Sequence, residues 1–376
     1  MTGNEERWTN PEHEKERLFQ SLMERARRGS AELEAQHLRA LSDLTPEQAR
    51  RWNALWPRLP VATRRRMTEL MARLLEDDPR LSFFEAGKTA LEDEDPEVRV
   101  QALRLLGVED LEARTVVPLC IRHLWDEAPQ VRAQAAQELG RFVLQGMVDQ
   151  MPFALLRKAV AALLYILHEE SPTSEVWAEA LKAVSYANPR GLKDFLEFAY
   201  FHGEIPLRCA ALVAMGRTLD DAWRDFILAD LEHPHPKVRA AAAEAAGFAE
   251  IREALDELLY LLQDVSEEVR VAAAWAVSEL ADEDEHAEIL EQAWREAQSD
   301  AEAESLEAAL QNLEFRLMRR DWNLLEMALK EEMDQPPQLD LSGPAVTNEE
   351  GSPGREEDSS EASFQASSNG NNGTST

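Results

Sequence analysis

The sequence predicts an all-α protein built as a solenoid, a stack of helix pairs. A segment of the form HPHPKVRAAAAEAAG, residues 233–247, recurs along the chain. Apolar residues within each copy recur at helical spacing. The chain is rich in alanine and leucine, has only four tyrosines and shows no alternation of β-branched residues. Recurrence with a period of about 20 to 50 residues indicates stacked supersecondary units.

Each copy of the repeat is recognised by an arginine with fixed neighbours. An aliphatic residue precedes it, an alanine follows three residues later and a small residue follows after eight. The arginines are 33, 76, 31 and 31 residues apart, so the long interval predicts one further unit, in which Trp177 takes the arginine position. The arginines are Arg99, Arg132, Arg208, Arg239 and Arg270, and the alanines are Ala102, Ala135, Ala211, Ala242 and Ala273.

Each unit is predicted to contain two helices. The second begins at the repeated segment, where Asp95 can cap the helix and Pro96 occupies its first turn. A glycine at the far end can stop the helix in a left-handed conformation. The first helix lies upstream, as in residues 221–233 and 252–264. Alanine at the fixed position allows neighbouring helices to approach closely.

The segments Asp93 to Gly107, Asp126 to Gly140 and Asp264 to Ser278 follow the pattern D-x-x-P-x-V-R-x-x-A with varying fidelity. This pattern resembles HEAT repeats, particularly the phycobilisome-lyase-type HEAT-like repeats. The resemblance implies an armadillo-like α-solenoid, a right-handed superhelix of HEAT-like helix pairs. It also implies that aspartate and arginine form a ladder between neighbouring units, which here would comprise Asp93, Arg99, Asp126, Arg132, Arg208, Arg239, Asp264 and Arg270.

Four regions are predicted. Residues 1–80 form an N-terminal helical region with a divergent capping helix pair, in which Thr45 and Gln48 can form a capping box. Residues 81–315 hold about six or seven HEAT-like units, and residues 316–333 form a C-terminal capping helix. Residues 334–376 are rich in Pro, Gly, Ser and Asn, so we expect a disordered tail.

Charge is the most informative functional feature of the sequence. The formal net charge is -32, and residues 1–80 carry +1, so the remainder carries -33. Because an acidic surface repels phosphate, nucleic acid is not an expected partner. The basic run Arg64 to Arg66 is interpreted as a solvated helix face. The longest apolar run, 159–167, is too short to span a bilayer, so we expect no membrane partner and a cytoplasmic protein.

The leading hypothesis is a non-catalytic scaffold or adaptor without a cofactor, monomeric when alone. Its acidic repeat surface would bind a protein partner through basic or amphipathic segments of that partner. We expect the binding surface on the run of second helices, at positions interpreted as solvent-facing: Gln101, Arg104, Gln134, Gln137, Glu138 and Glu244.

The competing hypothesis is an enzyme or enzyme accessory of the HEAT-like lyase or hydroxylase type. Such hydroxylases resemble this chain in their repeats, and the resemblance implies His-Glu dipeptides as ligands of two iron ions. The dipeptides His13-Glu14 and His168-Glu169 do not share one register. His233 takes the place of the motif aspartate, which favours structural turn histidines. The histidine cluster to consider for a metal is His168, His202, His233 and His235.

Overall fold

The computed structural model describes residues 11–29, 33–108, 113–171 and 175–334. Every regular element within these ranges is a helix. The repeats lie in a compact unit that ends at Trp322. Within the described residues, no helix has both the length and the apolar character needed to cross a membrane.

Four helices form the N-terminal region. The predicted capping box is confirmed at the start of the third, where the Gln48 amide donates to Thr45 Oγ1 over 3.3 Å and the Thr45 amide donates to Gln48 Oε1 over 3.1 Å. The chain leaves the first helix at Gly29, whose φ of 118° lies in the region that favours glycine. The helices are α1 (Pro11–Arg28), α2 (Ala35–Leu38), α3 (Pro46–Leu55) and α4 (Val61–Asp77).

Helix pairs follow one another from residue 84 onward. The first helices of the pairs are α5 (Phe84–Leu91), α7 (Ala113–His123), α9 (Phe153–Glu169), α11 (Leu192–His202), α13 (Arg224–Asp230), α15 (Leu255–Leu261) and α17 (Asp284–Arg295). The second helices are α6 (Pro96–Val108), α8 (Pro129–Met147), α10 (Glu175–Ser185), α12 (Ile205–Arg217), α14 (Pro236–Phe248), α16 (Glu267–Leu280) and α18 (Asp300–Asp334).

Second helices of neighbouring units pack side by side, from α4 through α16. Small residues permit this close approach. A Cβ atom added to Gly216 on α12 would lie 2.6 Å from both the Cα and the carbonyl oxygen of Ala245 on α14. The alanines of the repeat are fully buried at these contacts, as their fixed position predicted: Ala102, Ala135, Ala211, Ala242 and Ala273.

The long interval between arginines contains a unit with longer helices. Helix α8 has 19 residues, whereas α6, α12 and α14 have 13 each and α16 has 14. Helix α9 has 17 residues, and α10 follows with Trp177 in the arginine position. The Trp177 indole nitrogen donates a hydrogen bond of 3.0 Å to the Leu167 carbonyl at the end of α9.

One continuous helix, α18, occupies the C-terminal end of the repeats. It includes the end of the predicted repeat region and the capping helix expected at residues 316–333. Leu313 and Leu317 are buried and take the inward positions of this helix, whereas Phe315 and Trp322 are 54% and 66% exposed. The predicted disordered tail lies, beyond Asp334, outside the described residues.

Candidate functional site: an arginine ladder and a groove on the second helices

The turns between helices carry a repeated ion pair, here called the arginine ladder. Arg99 donates from Nε and Nη2 to the Asp126 carboxylate of the next unit, over 2.9 and 2.6 Å. Its Nη1 donates to the Asp93 carbonyl of its own turn over 2.7 Å. Arg239 repeats this arrangement, with two bonds of 2.8 and 2.9 Å to Asp264. Two parallel bonds between guanidinium and carboxylate fix both position and orientation.

Three carboxylates and one arginine of the ladder were missed by the motif: Glu170, Asp230, Glu302 and Arg64. Arg208 binds Asp230, one helical turn before the motif position held by His233. The last rung joins Arg270 to Glu302 on α18, and Arg132 contacts Glu170 at 3.0 Å. The first rung joins Arg64 on α4 to Asp93 at 2.9 Å, and the Trp56 indole also donates to that carboxylate. The missed rungs are therefore Arg64 with Asp93, Arg132 with Glu170, Arg208 with Asp230 and Arg270 with Glu302.

The buried rung corrects the interpretation of residues 64–66 as a solvated face. Arg64 is only 6% exposed and belongs to the ladder. Arg65 pairs with Asp95 and Arg66 with Glu69. The sequence concealed this role because α4 lacks the aspartate and alanine of the motif. The correction therefore concerns Arg64, since the side chains of Arg65 and Arg66 are 51% and 41% exposed, as a solvated helix face requires.

The ladder lowers the pKa of three carboxylates, those of Asp126, Asp264 and Glu302. Burial would raise the pKa of Asp126 and Asp264, but hydrogen bonds from Arg99 or Arg239 and from a backbone amide, with the arginine charge, outweigh it. The pKa of Glu302 is lowered chiefly by its hydrogen bonds with Arg270. These groups stay ionised at neutral pH and serve the stacking of the units.

A groove crosses four second helices, α10, α12, α14 and α16. It encloses a cavity of about 580 Å³. Its floor consists of small side chains: Ala178, Ala210, Ala240, Ala241 and Ala272. Its charged lining consists of Glu175, Glu179, Glu244, Glu268, Lys182 and Lys237, which gives four acidic and two basic groups.

Two of the groove carboxylates are neutralised from within the chain. Glu179 pairs with Lys182 at 2.7 Å, and Glu244 lies 3.4 Å from Arg217. Burial raises the pKa of Glu244, and the charges of Arg217 and Lys182 only partly oppose this. By contrast, Glu175 and Glu268 are exposed and make no ion pair with any described residue. The groove therefore presents two unmatched carboxylates and one unmatched cation, Lys237, above an apolar floor.

A cluster of aromatic rings and one guanidinium, here called the stack, lies beside the groove. The Arg217 guanidinium lies over the rings of both Tyr186 and Phe248, 4.7 and 5.1 Å from their centroids, and the two rings contact each other edge to face. Phe248 in turn contacts Trp275, with ring centroids 4.8 Å apart. The stack is joined to the groove through the pairing of Arg217 with Glu244. Such cation–π contacts hold the guanidinium in place.

Cys209 lies at the groove and is half-buried. Its thiol donates to the Lys237 carbonyl over 3.3 Å. Burial, together with the negative charge of Glu268, raises its pKa to about 11, so the thiol is protonated at neutral pH. Cys120 is fully buried, and burial raises its pKa as well. Neither group has the character of a nucleophile.

The residues of the predicted binding surface differ in exposure, and their role in binding stays a prediction. Arg104 and Gln137 are exposed, Gln101 is half-buried, and Glu244 lines the groove. Gln134 and Glu138, expected to face solvent, are instead buried, with exposures of 5% and 6%. They face α6, where Gly107 leaves room for the Glu138 carboxylate. A polar chain results, because Arg104 donates to Gln134 and Gln134 donates to Glu138, each over 2.8 Å.

The four histidines of the competing hypothesis have separate environments. His233 Nδ1 accepts from the His235 amide at 3.1 Å, and His235 Nδ1 accepts from the Lys237 amide at 3.2 Å, so both act in the turn before α14. His168 contacts the ring of Phe195, and His202 contacts that of Phe198. No group of three or more His, Cys, Asp or Glu residues in the described ranges is arranged to hold a metal ion.

The helix pairs, their close alanine contacts and the arginine ladder define an α-solenoid. A family model described as HEAT repeats matches residues 86–159 and 224–311. The chain is therefore a HEAT repeat protein. The phycobilisome-lyase-type subgroup and the right-handed superhelix stay predictions. No match was found among curated proteins.

Several solved structures are similar to the chain at low identity. Importin beta is 13% identical, with 81% of this chain and 47% of that chain covered, at a TM-score of 0.39. An engineered protein is 16% identical, with coverage of 82% and 97% and a TM-score of 0.34. Human deoxyhypusine hydroxylase is 17% identical, with coverage of 81% and 97% and a TM-score of 0.32. At these TM-scores the likenesses carry no argument about function.

Proposed function

We propose that the chain is a protein-interaction scaffold that binds a partner in the groove across α10, α12, α14 and α16. The observation that carries this proposal is the pairing of an alanine floor with two unmatched carboxylates, Glu175 and Glu268. An apolar floor gains free energy when it is covered. Unmatched carboxylates select against acidic segments and favour basic ones.

The partner segment is expected to combine small or medium apolar side chains with lysine or arginine. Its apolar side chains would cover the alanine floor, because those alanines leave depth above the backbone. Its cations would meet the carboxylates at the N-terminal ends of α10 and α16. The groove already contains Lys182 and Lys237, so a segment with one or two cations matches its net charge of about -2.

Site-specific crosslinking tests this proposal. A photoreactive side chain replaces Ala241 in the groove of the full chain, and a matched one replaces Ala229, which is exposed on the first helix α13. In lysate of the source cells, position 241 should capture proteins that position 229 does not. Capture should fall when salt screens the charges.

Charge reversal provides the second arm. Glu175→Lys with Glu268→Lys should abolish capture at position 241. The control, Asp225→Lys with Asp256→Lys, makes the same charge change at exposed positions on the first helices α13 and α15. If the control reduces capture as much as the groove variant does, general acidity drives binding and the groove proposal is wrong.

A further inference from the structure

The longer unit ends in an exposed apolar surface, here called the apolar tip. It comprises Leu144, Met147 and Val148 at the end of α8 and Phe153 at the start of α9. Their exposures are 44%, 48%, 56% and 72%. Because α8 has 19 residues where most of the other second helices have 13 or 14, it extends by about 8 Å beyond their length.

Such a concentration of large apolar side chains needs a physical explanation. Single exposed apolar residues are ordinary, but a contiguous apolar patch usually marks an interaction site. Met147 and Leu144 lie three residues apart on α8, so they share one face. The buried side chain of Met151 holds the connection between the two helices against the core, and Asp149 turns it with a φ of 60°. The tip is therefore built from ordered helix ends.

The tip is basic in an otherwise acidic repeat region. Residues 141–158 contain Arg141, Arg157 and Lys158 against one acid, Asp149. Arg157 lies four residues after Phe153 and therefore on the same side of α9. Arg157 and Lys158 are exposed and make no ion pair with any described residue. The tip thus offers apolar side chains with the unpaired cation Arg157 on the same side of α9, and Lys158 adds a second exposed cation at the next position.

These properties complement the groove on the same chain. The groove has an apolar floor and two unmatched carboxylates, whereas the tip has apolar side chains and two unmatched cations. We infer that the apolar tip of one chain binds in the groove of a second copy. This inference uses the groove of the proposed function, so self-association would compete with other partners there.

The contact would be heterologous, since tip and groove are different surfaces. A dimer of this kind keeps a free tip on one chain and a free groove on the other. Association therefore continues beyond the dimer unless a ring closes. The net charge of -32 opposes this through general repulsion, which physiological salt screens beyond about 8 Å. Self-association is therefore expected to need moderate salt and micromolar or higher concentrations.

Sedimentation velocity of the full chain at about 150 mM salt tests the inference. The average mass should rise with concentration from 42.5 kDa to beyond twice that value. Met147→Ser with Phe153→Ser should weaken self-association by at least about tenfold, because two apolar side chains lose their burial. The control, Tyr260→Ser with Val265→Ser, removes apolar side chains exposed elsewhere and should change nothing.

A mixing experiment identifies the two surfaces. The tip variant and the groove variant Glu175→Lys with Glu268→Lys should each be monomeric. Their equimolar mixture should form a heterodimer and stop there, since one chain keeps its groove and the other its tip. A wild-type chain that stays monomeric up to about 100 µM, well above typical micromolar contacts, would overturn the inference, as would a mixture that stays monomeric.

The outcomes separate this inference from the proposed function. If the tip variant still captures proteins at position 241 but wild type does not self-associate, only the inference fails. If the groove variant loses both capture at position 241 and self-association, whereas the tip variant loses self-association alone, the groove is shared as inferred. Flotation with vesicles of phosphatidylcholine and phosphatidylserine covers the membrane alternative, and tip-dependent flotation of a monomer would overturn the inference.

Discussion

Two parts of the solenoid differ in how the residue at the arginine position is bound to its neighbours. In residues 205–302, Arg208, Arg239 and Arg270 each bind a carboxylate of the next unit through two hydrogen bonds. In residues 129–185, Arg132 makes one contact of 3.0 Å with Glu170, and Trp177 replaces the next arginine. The regular part is held by buried bidentate pairs, whereas the longer unit relies on packing and one indole hydrogen bond.

The two parts share one feature of the turn. Arg239 and Arg270 donate to a carbonyl of the preceding turn, as Arg239 does to His233, whereas Arg208 donates to the Tyr200 hydroxyl instead. Trp177 donates to Leu167, also in the chain before its helix. A donor to the preceding backbone thus occurs in both parts, whereas the ion pair is bidentate in the regular part and a single contact in the longer unit. Exposure differs too: the side chains of Arg270 and Glu302 are 8% and 2% exposed, and those of Arg132 and Glu170 are 20% and 24%.

Removing the ladder arginines should give the largest contrast between the two parts. Arg270→Ala leaves Glu302 buried without its partner, so we expect a loss of about 3 to 5 kcal/mol in the free energy of unfolding. Arg132→Ala breaks a pair open to water and should cost about 1 kcal/mol or less. Urea unfolding of both variants measures this. Equal losses would mean that burial does not govern the strength of the rungs.

Glycine substitutions should give the next largest contrast. A Cβ on Gly216 would lie 2.6 Å from Ala245 backbone atoms, whereas one on Gly140 would lie 3.1 Å from the nearest Ala183 atom. Overpacking costs about 1 to 3 kcal/mol, and alanine regains about 1 kcal/mol of helix propensity. Gly216→Ala should therefore lose about 2 kcal/mol and Gly140→Ala about none. Thermal unfolding distinguishes them, and a neutral Gly216→Ala would contradict the close contact.

Trp177→Phe isolates the indole hydrogen bond of the longer unit. The ring packing against Phe195 and Phe198 is largely kept, but the Leu167 carbonyl loses its donor, so we expect a cost of about 1 kcal/mol. Amide hydrogen exchange in α10 should quicken first, since the bond anchors the start of that helix. Trp275→Phe is the control, because the described residues include no hydrogen-bond partner for its indole nitrogen. Unchanged exchange in α10 would mean that packing alone replaces the arginine.

Replacing a buried carboxylate by an amide should give the smallest changes in the free energy of unfolding. The changes should have opposite signs in the two parts. Burial raises the pKa of Glu138 above its ordinary 4.5, while Arg270 lowers that of Glu302 below it. The folded state therefore disfavours ionised Glu138 and favours ionised Glu302. At neutral pH, Glu138→Gln should raise the free energy of unfolding slightly, and Glu302→Gln should lower it.

The difference in the free energy of unfolding between each variant and the wild type should shrink as the pH falls. The pH range differs between the two variants. The difference for Glu138 fades as the pH falls through its raised pKa towards 4.5, because the wild-type carboxylate then takes up a proton in the folded state. That for Glu302 is fully present above 4.5 and is lost below it. Unfolding measured from pH 7 to about pH 3 covers these ranges. A Glu138→Gln variant that is less stable at pH 7 would reverse the assigned direction.

The sequence predicted the fold because the repeat is strongly marked. Fixed arginine, alanine and glycine positions located the second helices, and the capping box at Thr45 located α3. The sequence did not predict ion pairs whose carboxylate lies outside the motif position. Asp230 and Glu302 are examples. A side chain one helical turn away can reach the same arginine, and a linear motif does not show this.

The groove was predicted less well than the fold. Its place on the second helices and its residue Glu244 were anticipated, but Glu175 and Glu268 were not. Whether a helical position faces a groove or a neighbouring helix depends on the distance between helices. Gln134 and Glu138 show this, since the packing of α6 against α8 buries them. The apolar tip follows from the length of α8, which the 76-residue arginine interval indicates only indirectly.

The arginine ladder also makes the chain directional. In each rung the arginine comes earlier in the sequence than its carboxylate, from Arg64 with Asp93 to Arg270 with Glu302. A truncation from the N-terminus therefore strands a carboxylate at the new end, which protonation can neutralise. A truncation from the C-terminus strands a guanidinium, which cannot lose its charge. Shortened versions should tolerate loss of leading units better than loss of trailing ones.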